Sequence, residues 1–376
     1  MVLSLQIYCW MLGVKGQMSP ESASFLPRSL DDVQRKYLLN DLLRGVSRSF
    51  YLTLRVLPAQ LREPISVAYL LARAADTIAD TEIVSADKRC DALHHLRAQL
   101  QSEVPSHAVL ERLQVGFTGQ LEHAFENELL TMLVPLFELL ARQTAPDRMM
   151  IRKVVLTLTE GMVNDLCHFQ LSEGVTALES GEQLDHYTYL VAGCVGEFWT
   201  DISIAHIDAL QRWQANQGQY SQLGIRFGKG LQLTNILRDV PRDLQIGRCY
   251  LPQSWLDEVA LAPSDLMMIT NSDAARTLLT KGIRQALGHY AAAEQYVTAL
   301  PRRCVRLRLA ALWPMLIGLK TLAQLSQQAN WLDAGVVCKV ERKWIYRMIL
   351  LSFGAVVSNI VLKWWCARLR RAISLV

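Results

Sequence analysis

The sequence lacks the usual features of a nucleic-acid binder, a disulfide-linked domain or a dinucleotide-binding sheet. Its 376 residues have a formal net charge of only +4 and 20% charged side chains, too little positive charge for a dedicated nucleic-acid partner. The eight cysteines are scattered and form no C-x-x-C pair, which favours free thiols in a reducing compartment over disulfides or a zinc site. No G-x-G-x-x-G element appears, so a Rossmann-type nucleotide site is not expected.

Strand-like alternation is also scarce, and apolar residues instead recur with helical spacing. Glycine and proline fall mainly between these segments, where they end helices. Hydrophobic residues make up 51% of the chain, enough for a large core, and no linker or repeat divides it. We therefore expect one all-α domain. Helices are predicted near residues 31–44, 62–82, 86–103, 108–141 (with a break), 147–172, 183–208, 218–240, 273–298, 302–329 and 339–370.

The main domain is predicted to cover residues 31–335. Residues 1–30 begin with an apolar stretch but have no basic region and no convincing cleavage site, so we expect a poorly ordered or accessory segment rather than a secretory signal. Residues 336–376 combine a basic start with an apolar continuation. We interpret them as a separate C-terminal segment.

The C-terminal segment has the composition of a membrane-surface element. Its apolar run, from Met348 to Leu362, is shorter than the roughly 20 residues that span a bilayer. Trp364, Trp365 and several basic residues follow, and tryptophan beside lysine and arginine is typical of the membrane–water interface. Because the run covers all faces of the helix, we expect a cytoplasmic protein held peripherally at the cytoplasmic face of the membrane. The alternative is a final core helix with a solvated basic tip.

Asp76 and Asp80, in ARAADTIADTE, form the first chemically distinctive pair. Residues four apart lie on one face of a helix, about 6 Å apart along its axis. Mg²⁺ commonly takes one or two carboxylates together with phosphate oxygens and water. Two acids on a helix are more often a solvated face, so this pair alone is a weak signal.

A second stripe contains Asn235, Asp239 and Asp243, in LQLTNILRDVPRDLQIGRCYLP. Spacing of four residues places three oxygen-bearing side chains on one face. Two such helices facing each other across a cavity could neutralise a diphosphate from two sides. Pro241 cannot donate a backbone hydrogen bond, so the helix is predicted to kink or stop near Val240 and leave Asp243 on an irregular turn.

Basic and hydroxyl side chains flank both acidic stripes. Arg73 precedes Asp76 by one helical turn, and Tyr69 lies another turn back on the same face. A guanidinium group suits phosphate because its planar fork donates two hydrogen bonds to one anion. The remaining flanking candidates are Arg48, Ser49, Phe50, Arg238 and Arg248.

These motifs together resemble the squalene/phytoene synthase family. The resemblance rests on SRSF, YLLARAADTIAD, EGMVNDL, VAGCVGEFW and LQLTNILRDVPRDLQIGRCYLP, and it covers about residues 40 to 325. It implies an all-α isoprenoid-synthase bundle around a central cavity and farnesyl diphosphate as the substrate. It further implies Mg²⁺ bridging diphosphates to Asp76, Asp80, Asn235, Asp239 and Asp243, with phosphates or metal sites ordered by Arg48, Ser49, Tyr69, Arg73, Gln232, Arg238 and Arg248.

The mechanism implied is ionisation of one diphosphate, attack by the second substrate to give a cyclopropyl diphosphate, and a second ionisation. Phe50, Tyr187, Tyr189, Phe198 and Trp199 are candidates for an aromatic lining that excludes water, with ordinary packing as the alternative. Family members usually have a tyrosine directly before the VAG segment, and this sequence has Leu190 there. Tyr187 or Tyr189 could then move the proton, or the released diphosphate could accept it.

The final third favours the squalene branch of the family, in which NADPH reduces the intermediate. GVVCKVERKWIY resembles a basic segment that meets the cofactor phosphates, with Lys339, Arg342 and Lys343 as candidates. A basic helix start on the surface is the alternative for these residues. Dehydrosqualene or phytoene synthesis needs no reductant, and a non-catalytic prenyl-binding relative is a further possibility. Monomer and homodimer both remain open.

Overall fold

Helices make up nearly all of the regular structure, in a computed structural model that describes residues 31–47, 50–117, 119, 123–170, 174–336 and 338–375. The first half contains α1 (Asp32–Tyr37), α2 (Leu43–Ser47), α3 (Phe50–Val56), α4 (Ala59–Asp80), α5 (Ala86–Gln101), α6 (His107–Phe117), α7 (Ala124–Thr131), α8 (Leu133–Ala141) and α9 (Ala145–Gln170). The second half contains α10 (Gly181–Thr188), α11 (Cys194–His206), α12 (Gln217–Gln245), α13 (Gln253–Glu258), α14 (Arg276–Ala299), α15 (Val305–Gln327), α16 (Arg342–Ala355) and α17 (Asn359–Arg371).

Shorter elements join these helices. Leu38–Leu42 and Tyr189–Gly193 are π-helical turns, and Asp208–Asn216, Pro263–Met267 and Ile269–Asn271 are 3₁₀ helices. The strands β1 (Thr176–Leu178) and β2 (Arg248–Pro252) pair in parallel, with Thr176 opposite Arg248. This strand pair was not predicted, because three to five residues give too short a pattern to recognise. It fixes the start of the GRCYLP motif beside the end of α9.

The predicted all-α bundle is confirmed, with two corrections to its helices. α12 continues through Pro241 to Gln245, so the helix does not stop near Val240 as expected. Pro241 and Val240 are buried, and packing there outweighs the lost backbone hydrogen bond. The predicted C-terminal helix is two helices, because the chain breaks at Val356–Ser358 and the Ser358 hydroxyl accepts from the Val361 amide to start α17.

The core is built around α12, which packs against α11 and α14. Among the described helices, α15 is the only one long and apolar enough to cross a membrane, and 78% of its apolar window is buried inside the bundle. α15 therefore has the burial of a central core helix. The seven cysteines within the described ranges are all free thiols.

Two glycines set the distance between α11 and α12. A Cβ added at Gly224 would lie 2.5 Å from the Gly196 carbonyl oxygen and 2.5 Å from the Thr200 Oγ1. Neither backbone can move without separating the helices, because the interior is close-packed. Gly224 thereby allows the contact that holds the start of α12 against α11.

We predict that Gly224→Ala lowers the free energy of unfolding by about 1–3 kcal/mol, since the added methyl group forces the helices apart. Gly218→Ala is the matched control in the same helix, because nothing lies within 4 Å of its added Cβ. It should leave stability unchanged or slightly raised. Urea unfolding of both variants tests this, and equal losses would show that the close helix approach is not the cause.

Candidate active site

A cavity of about 300 Å³ opens between the end of α4, the end of α10, the second half of α12 and β2. It brings together residues from both predicted acidic stripes. Of the described side chains that line it, two are aliphatic and most are polar or charged, so this lining suits a charged group better than a hydrocarbon chain. The lining residues are Asp80, Glu82, Arg89, Tyr187, Gln232, Asn235, Ile236, Asp239, Asp243, Ile246, Arg248 and Tyr250.

The two aspartates of α4 have different surroundings. Asp80 is exposed to the cavity, whereas Asp76 is 0% exposed and is not among the lining residues. Arg73 forms ion pairs with Asp76 and with Glu126. Burial alone would lower the pKa of Arg73, but the negative charges around it raise the pKa overall.

Tyr69 is also engaged within the bundle, because its hydroxyl donates to the Val46 carbonyl oxygen at 3.2 Å. Together with Asp76 and Arg73 it forms a polar layer behind Asp80. The structure therefore brings one member of the first stripe to the cavity and buries the rest. Arg48 and Ser49 lie outside the described residues, and Phe50 is described only as the first backbone position of α3.

All three members of the second stripe reach the cavity. Because α12 runs through Pro241, Asp243 stays in register with Asp239. Arg238 pairs with Asp239 through its Nε at 2.8 Å. Burial and the nearby Asp239 carboxylate raise the pKa of Asp243 well above its ordinary value, and Arg248 only partly opposes this. The second stripe thus places two carboxyl groups close together in a poorly solvated place, where the negative form of Asp243 is disfavoured.

Buried amides next to these carboxylates have unused polar atoms. Within the described residues, neither Nδ2 nor Oδ1 of Asn235 has a hydrogen-bond partner, and the Gln232 Oε1 has none either. An unpaired buried polar atom is costly, so both side chains are suited to a bound group. Oxygen ligands of this kind fit Mg²⁺. No described cluster of three or more acidic, histidine or cysteine side chains could hold a metal by itself, so phosphate oxygens and water would complete the shell.

A hydrogen-bonded group at the other wall was not predicted from the sequence. Asp165 is buried and accepts from the Tyr250 hydroxyl at 2.6 Å, and it pairs with Arg248 at 2.9 Å. The Tyr187 ring stacks on Tyr250 with centroids 4.8 Å apart. Asp165 and Tyr250 both lie inside recognised motifs, EGMVNDL and GRCYLP, but nothing in their spacing indicates that they meet.

Of the two tyrosine candidates for proton transfer, one lies at the cavity and the other does not. Tyr187 lines the cavity, and burial raises its pKa well above the ordinary value. Tyr189 instead donates to the Glu197 Oε2 at 3.0 Å, away from the cavity. Leu190, at the position where a tyrosine was expected, is buried against Gly161 of α9. Tyr189 leaves the cavity because successive helical residues point about 100° apart.

The other aromatic candidates also lie elsewhere. Phe198 lines a small separate pocket beside Cys194, and Trp199 is half-buried against the core. Of the described aromatic side chains, the cavity contains Tyr187 and Tyr250. Phe198, Trp199 and Tyr189 therefore do not line this cavity, and an aromatic lining around the prenyl chains stays a prediction.

The basic residues near position 340 lie outside the cavity lining. Arg342 and Lys343 are exposed in the first turn of α16, and Lys339 is partly buried just before it. The preceding Cys338 is close enough to Arg238 and Asp239 to feel their charges, although burial is the main cause that raises its pKa to about 11. This segment therefore begins near the second acidic stripe and leads away from it.

Comparisons with known proteins agree with the resemblance. The profile of the squalene/phytoene synthase family matches residues 43–343. A bifunctional lycopene cyclase/phytoene synthase of Gibberella fujikuroi is 31% identical over 271 residues, 69% of this chain and 42% of that protein. The squalene synthase of Saccharomyces cerevisiae is 28% identical over 69% of this chain and 55% of its own length. The presqualene diphosphate synthase of Zymomonas mobilis is 30% identical over 68% of this chain and 73% of its own length.

The fold also has a counterpart among solved structures. A ligand complex titled TcSQS superposes with a TM-score of 0.68 at 19% identity, covering 91% of this chain and 99% of that one. At this identity the likeness concerns the fold. The match to the fungal relatives spans only about half of their length or less.

We predict that the two acids of α12 respond oppositely to neutralisation in Mg²⁺-free buffer. Asp239→Asn leaves the buried Arg238 without its carboxylate and should lower the free energy of unfolding by roughly 3 kcal/mol. Asp243→Asn removes one of two adjacent negative charges and should leave that free energy unchanged or higher. Urea unfolding in EDTA measures both.

Adding Mg²⁺ with inorganic pyrophosphate supplies the control for this pair. A ligand that binds only the folded state raises stability. The free energy of unfolding should therefore rise more for the wild type than for Asp243→Asn. Equal losses for the two variants in EDTA would contradict the charge arrangement described above.

Proposed function

The chain belongs to the squalene/phytoene synthase family, and we propose that it condenses two farnesyl diphosphates head to head and reduces the product to squalene with NADPH. The observation that carries this proposal is the cavity shared by Asp80 and the Asn235–Asp239–Asp243 stripe. Carboxylates from two helices, next to unpaired buried amides, are the donors that a magnesium diphosphate requires. The intermediate proposed is a cyclopropyl diphosphate.

We assign Asp80, Asn235, Asp239 and Asp243 to metal binding, with Asp76 as a buried support for Arg73. Bound Mg²⁺ would stabilise the negative charge of the departing diphosphate. Arg248 faces the same cavity and would hold phosphate oxygens by its guanidinium fork. Its ion pair with Asp165 keeps that fork oriented.

We propose Tyr187 as the group that relays the proton lost when the cyclopropane ring closes: its neutral hydroxyl would take up that proton and pass its own through the Tyr250 hydroxyl to the Asp165 carboxylate. It is the only one of the two tyrosine candidates whose side chain lines the cavity, and its ring is held by the stack on Tyr250. The Tyr250 hydroxyl in turn donates to Asp165. Diphosphate released in the first step is the alternative acceptor.

Reduction by NADPH is proposed from the basic segment that starts beside the second stripe. Lys339, Arg342 and Lys343 would bind the cofactor phosphates, and the exposure of the last two suits a soluble cofactor that arrives from solvent. In the alternative functions the reaction ends at presqualene diphosphate or dehydrosqualene, or geranylgeranyl diphosphate is the substrate and phytoene the product. Relatives named as presqualene diphosphate synthase and phytoene synthase support keeping both in the test.

Incubation of the purified protein with farnesyl diphosphate and Mg²⁺, with and without NADPH, tests the product. We expect squalene only when NADPH is present, and presqualene diphosphate or dehydrosqualene without it, identified by mass. Asp80→Asn is the control for the site and should lower turnover at least about 100-fold. Absence of squalene with NADPH would remove the reductase step, and turnover of geranylgeranyl diphosphate instead would favour the phytoene reaction.

The C-terminal helices support a second proposal, attachment to an anionic membrane surface. Their exposed apolar side chains include Leu350 at 73%, Ile360 at 81% and Trp364 at 59% exposure. Arg368 lies 5.7 Å above the Trp364 ring, an arrangement suited to lipid head groups. The full exposed apolar set is Tyr346, Leu350, Leu351, Phe353, Val357, Ile360, Val361 and Trp364. The break at Val356–Ser358 means that these helices would lie on the bilayer and not cross it.

We predict that Leu350→Ser with Ile360→Ser lowers binding to phosphatidylserine-containing vesicles at least about tenfold, because the strength of binding scales with the apolar area buried in the membrane interface. Val104→Ser with Val115→Ser is the matched control, since both valines are equally exposed elsewhere. Vesicle co-sedimentation measures binding. A change in oligomeric state without a change in vesicle binding would identify this surface as a protein interface instead.

A further inference from the structure

Two of the arginines expected to hold phosphate, Arg73 and Arg238, are already paired with carboxylates and do not line the cavity. Arg73 forms ion pairs with Asp76 and Glu126, and Arg238 forks onto Asp239. Within the described residues, the arginines that line the cavity are Arg248 and Arg89. Arg89 belongs to none of the motifs that the sequence singles out, and the proposed function gives it no role.

Arg89 is held at the cavity wall by the end of α4. It lies in the first turn of α5, is only 5% exposed, and its Nη1 donates to the Ala79 carbonyl oxygen at 2.6 Å. A cation at a helix C-terminus satisfies a free carbonyl and interacts favourably with the helix dipole. This contact is a sufficient structural reason for a basic residue, and it also fixes the guanidinium group one residue away from Asp80.

The hydrogen bond to Ala79 leaves part of the guanidinium group unused. Arg89 Nε is buried and has no hydrogen-bond partner within the described residues. A buried donor on a charged group is costly to leave unpaired. Because the side chain also lines the cavity, an anion there would lie against this guanidinium group and offset the cost of burying its charge.

A second positive charge stands nearby. Burial, followed by the charge of Arg248, lowers the pKa of Arg89, while Asp80 and Glu82 oppose this. Two guanidinium groups that face one buried cavity repel each other. An anion between them removes the repulsion, and it becomes more necessary once a divalent cation takes up the charge of Asp80.

We infer that Arg89 is a diphosphate-binding residue, which forms with Arg248 a pair of guanidinium groups at the Asp80 end of the cavity. The pair would hold phosphate oxygens next to Asp80, while the carboxylates of α12 would bind the metal. Planar forks donate to two oxygens of one phosphate group, which a lysine cannot do. This inference rests on the proposed function only in taking the anion to be a diphosphate.

Isothermal titration of the full chain with inorganic pyrophosphate and Mg²⁺ tests the assignment. We expect Arg89→Gln to weaken binding at least tenfold and Arg89→Lys at least threefold, because lysine keeps the charge but loses the fork. Arg248→Gln serves as the reference and should weaken binding by a similar factor. Arg97→Gln is the matched control, since Arg97 lies on the same helix and also donates to a backbone carbonyl, that of Leu156, away from the cavity.

The unfolding midpoints separate ligand binding from helix capping. Arg97→Gln loses the contact to the Leu156 carbonyl and also the hydrogen bond to Thr159, so it should destabilise the protein at least as much as Arg89→Gln, but only Arg89→Gln should lose affinity. If Arg89→Gln does not fold, Arg89→Lys decides the question. Wild-type affinity in the folded Arg89 variants would overturn the inference. Normal pyrophosphate binding by the wild type without any prenyl product would defeat the proposed function and leave the Arg89 assignment intact.

Discussion

The structure depends on holding several carboxylates around one poorly solvated cavity without letting their repulsion open it. Asp80 approaches from α4, and Asp239 and Asp243 approach from α12. Coulomb repulsion between such charges is much stronger in a protein interior than in water. What opposes it is packing: α12 is fixed against α11 by the close contact of Gly196 and Gly224, and against α14 along most of its length.

Three arginines near the cavity each have a different carboxylate partner. Arg73 forms ion pairs with Asp76 and Glu126 inside the bundle, and its pair with Asp76 explains how two aspartates one helical turn apart come to differ so completely in exposure. Arg238 neutralises Asp239 but leaves Asp243 without an equal partner. Arg248 is divided between Asp165 and the cavity. The arrangement leaves negative charge on the α12 wall and positive charge beside Asp80, which is the polarity that a metal diphosphate requires.

Much of this could be predicted from the sequence, because helical spacing and the acidic stripes are local properties. The all-α fold, the family and the convergence of Asp80 with the α12 stripe follow from residues a few positions apart. The complete burial of Asp76 could not be predicted, since its partner Arg73 is also held by Glu126 from a helix distant in sequence. Asp165 and Arg89 were missed for the same reason: their roles come from contacts with Tyr250, Arg248 and Ala79, not from spacing. The predicted helix end at Pro241 was wrong because it was based on the low helix propensity of proline alone, and packing overrides that propensity here.

The lining of the cavity limits which part of a prenyl diphosphate it can accept. Among the described residues, Ile236 and Ile246 are the only aliphatic ones that line it, and about 300 Å³ is at the lower end of the range for pockets that enclose a small organic ligand. Burying a polyprenyl chain against carboxylates and guanidinium groups would gain little, because the hydrophobic effect requires apolar surface on both partners. The cavity is therefore matched to metal and diphosphate. Since Tyr187 is the one of the two tyrosine candidates that lines this cavity, the reacting carbon atoms of the proposed substrates would lie at its Tyr187–Tyr250 edge, where the Tyr187 hydroxyl can relay the proton and a diphosphate oxygen can accept it.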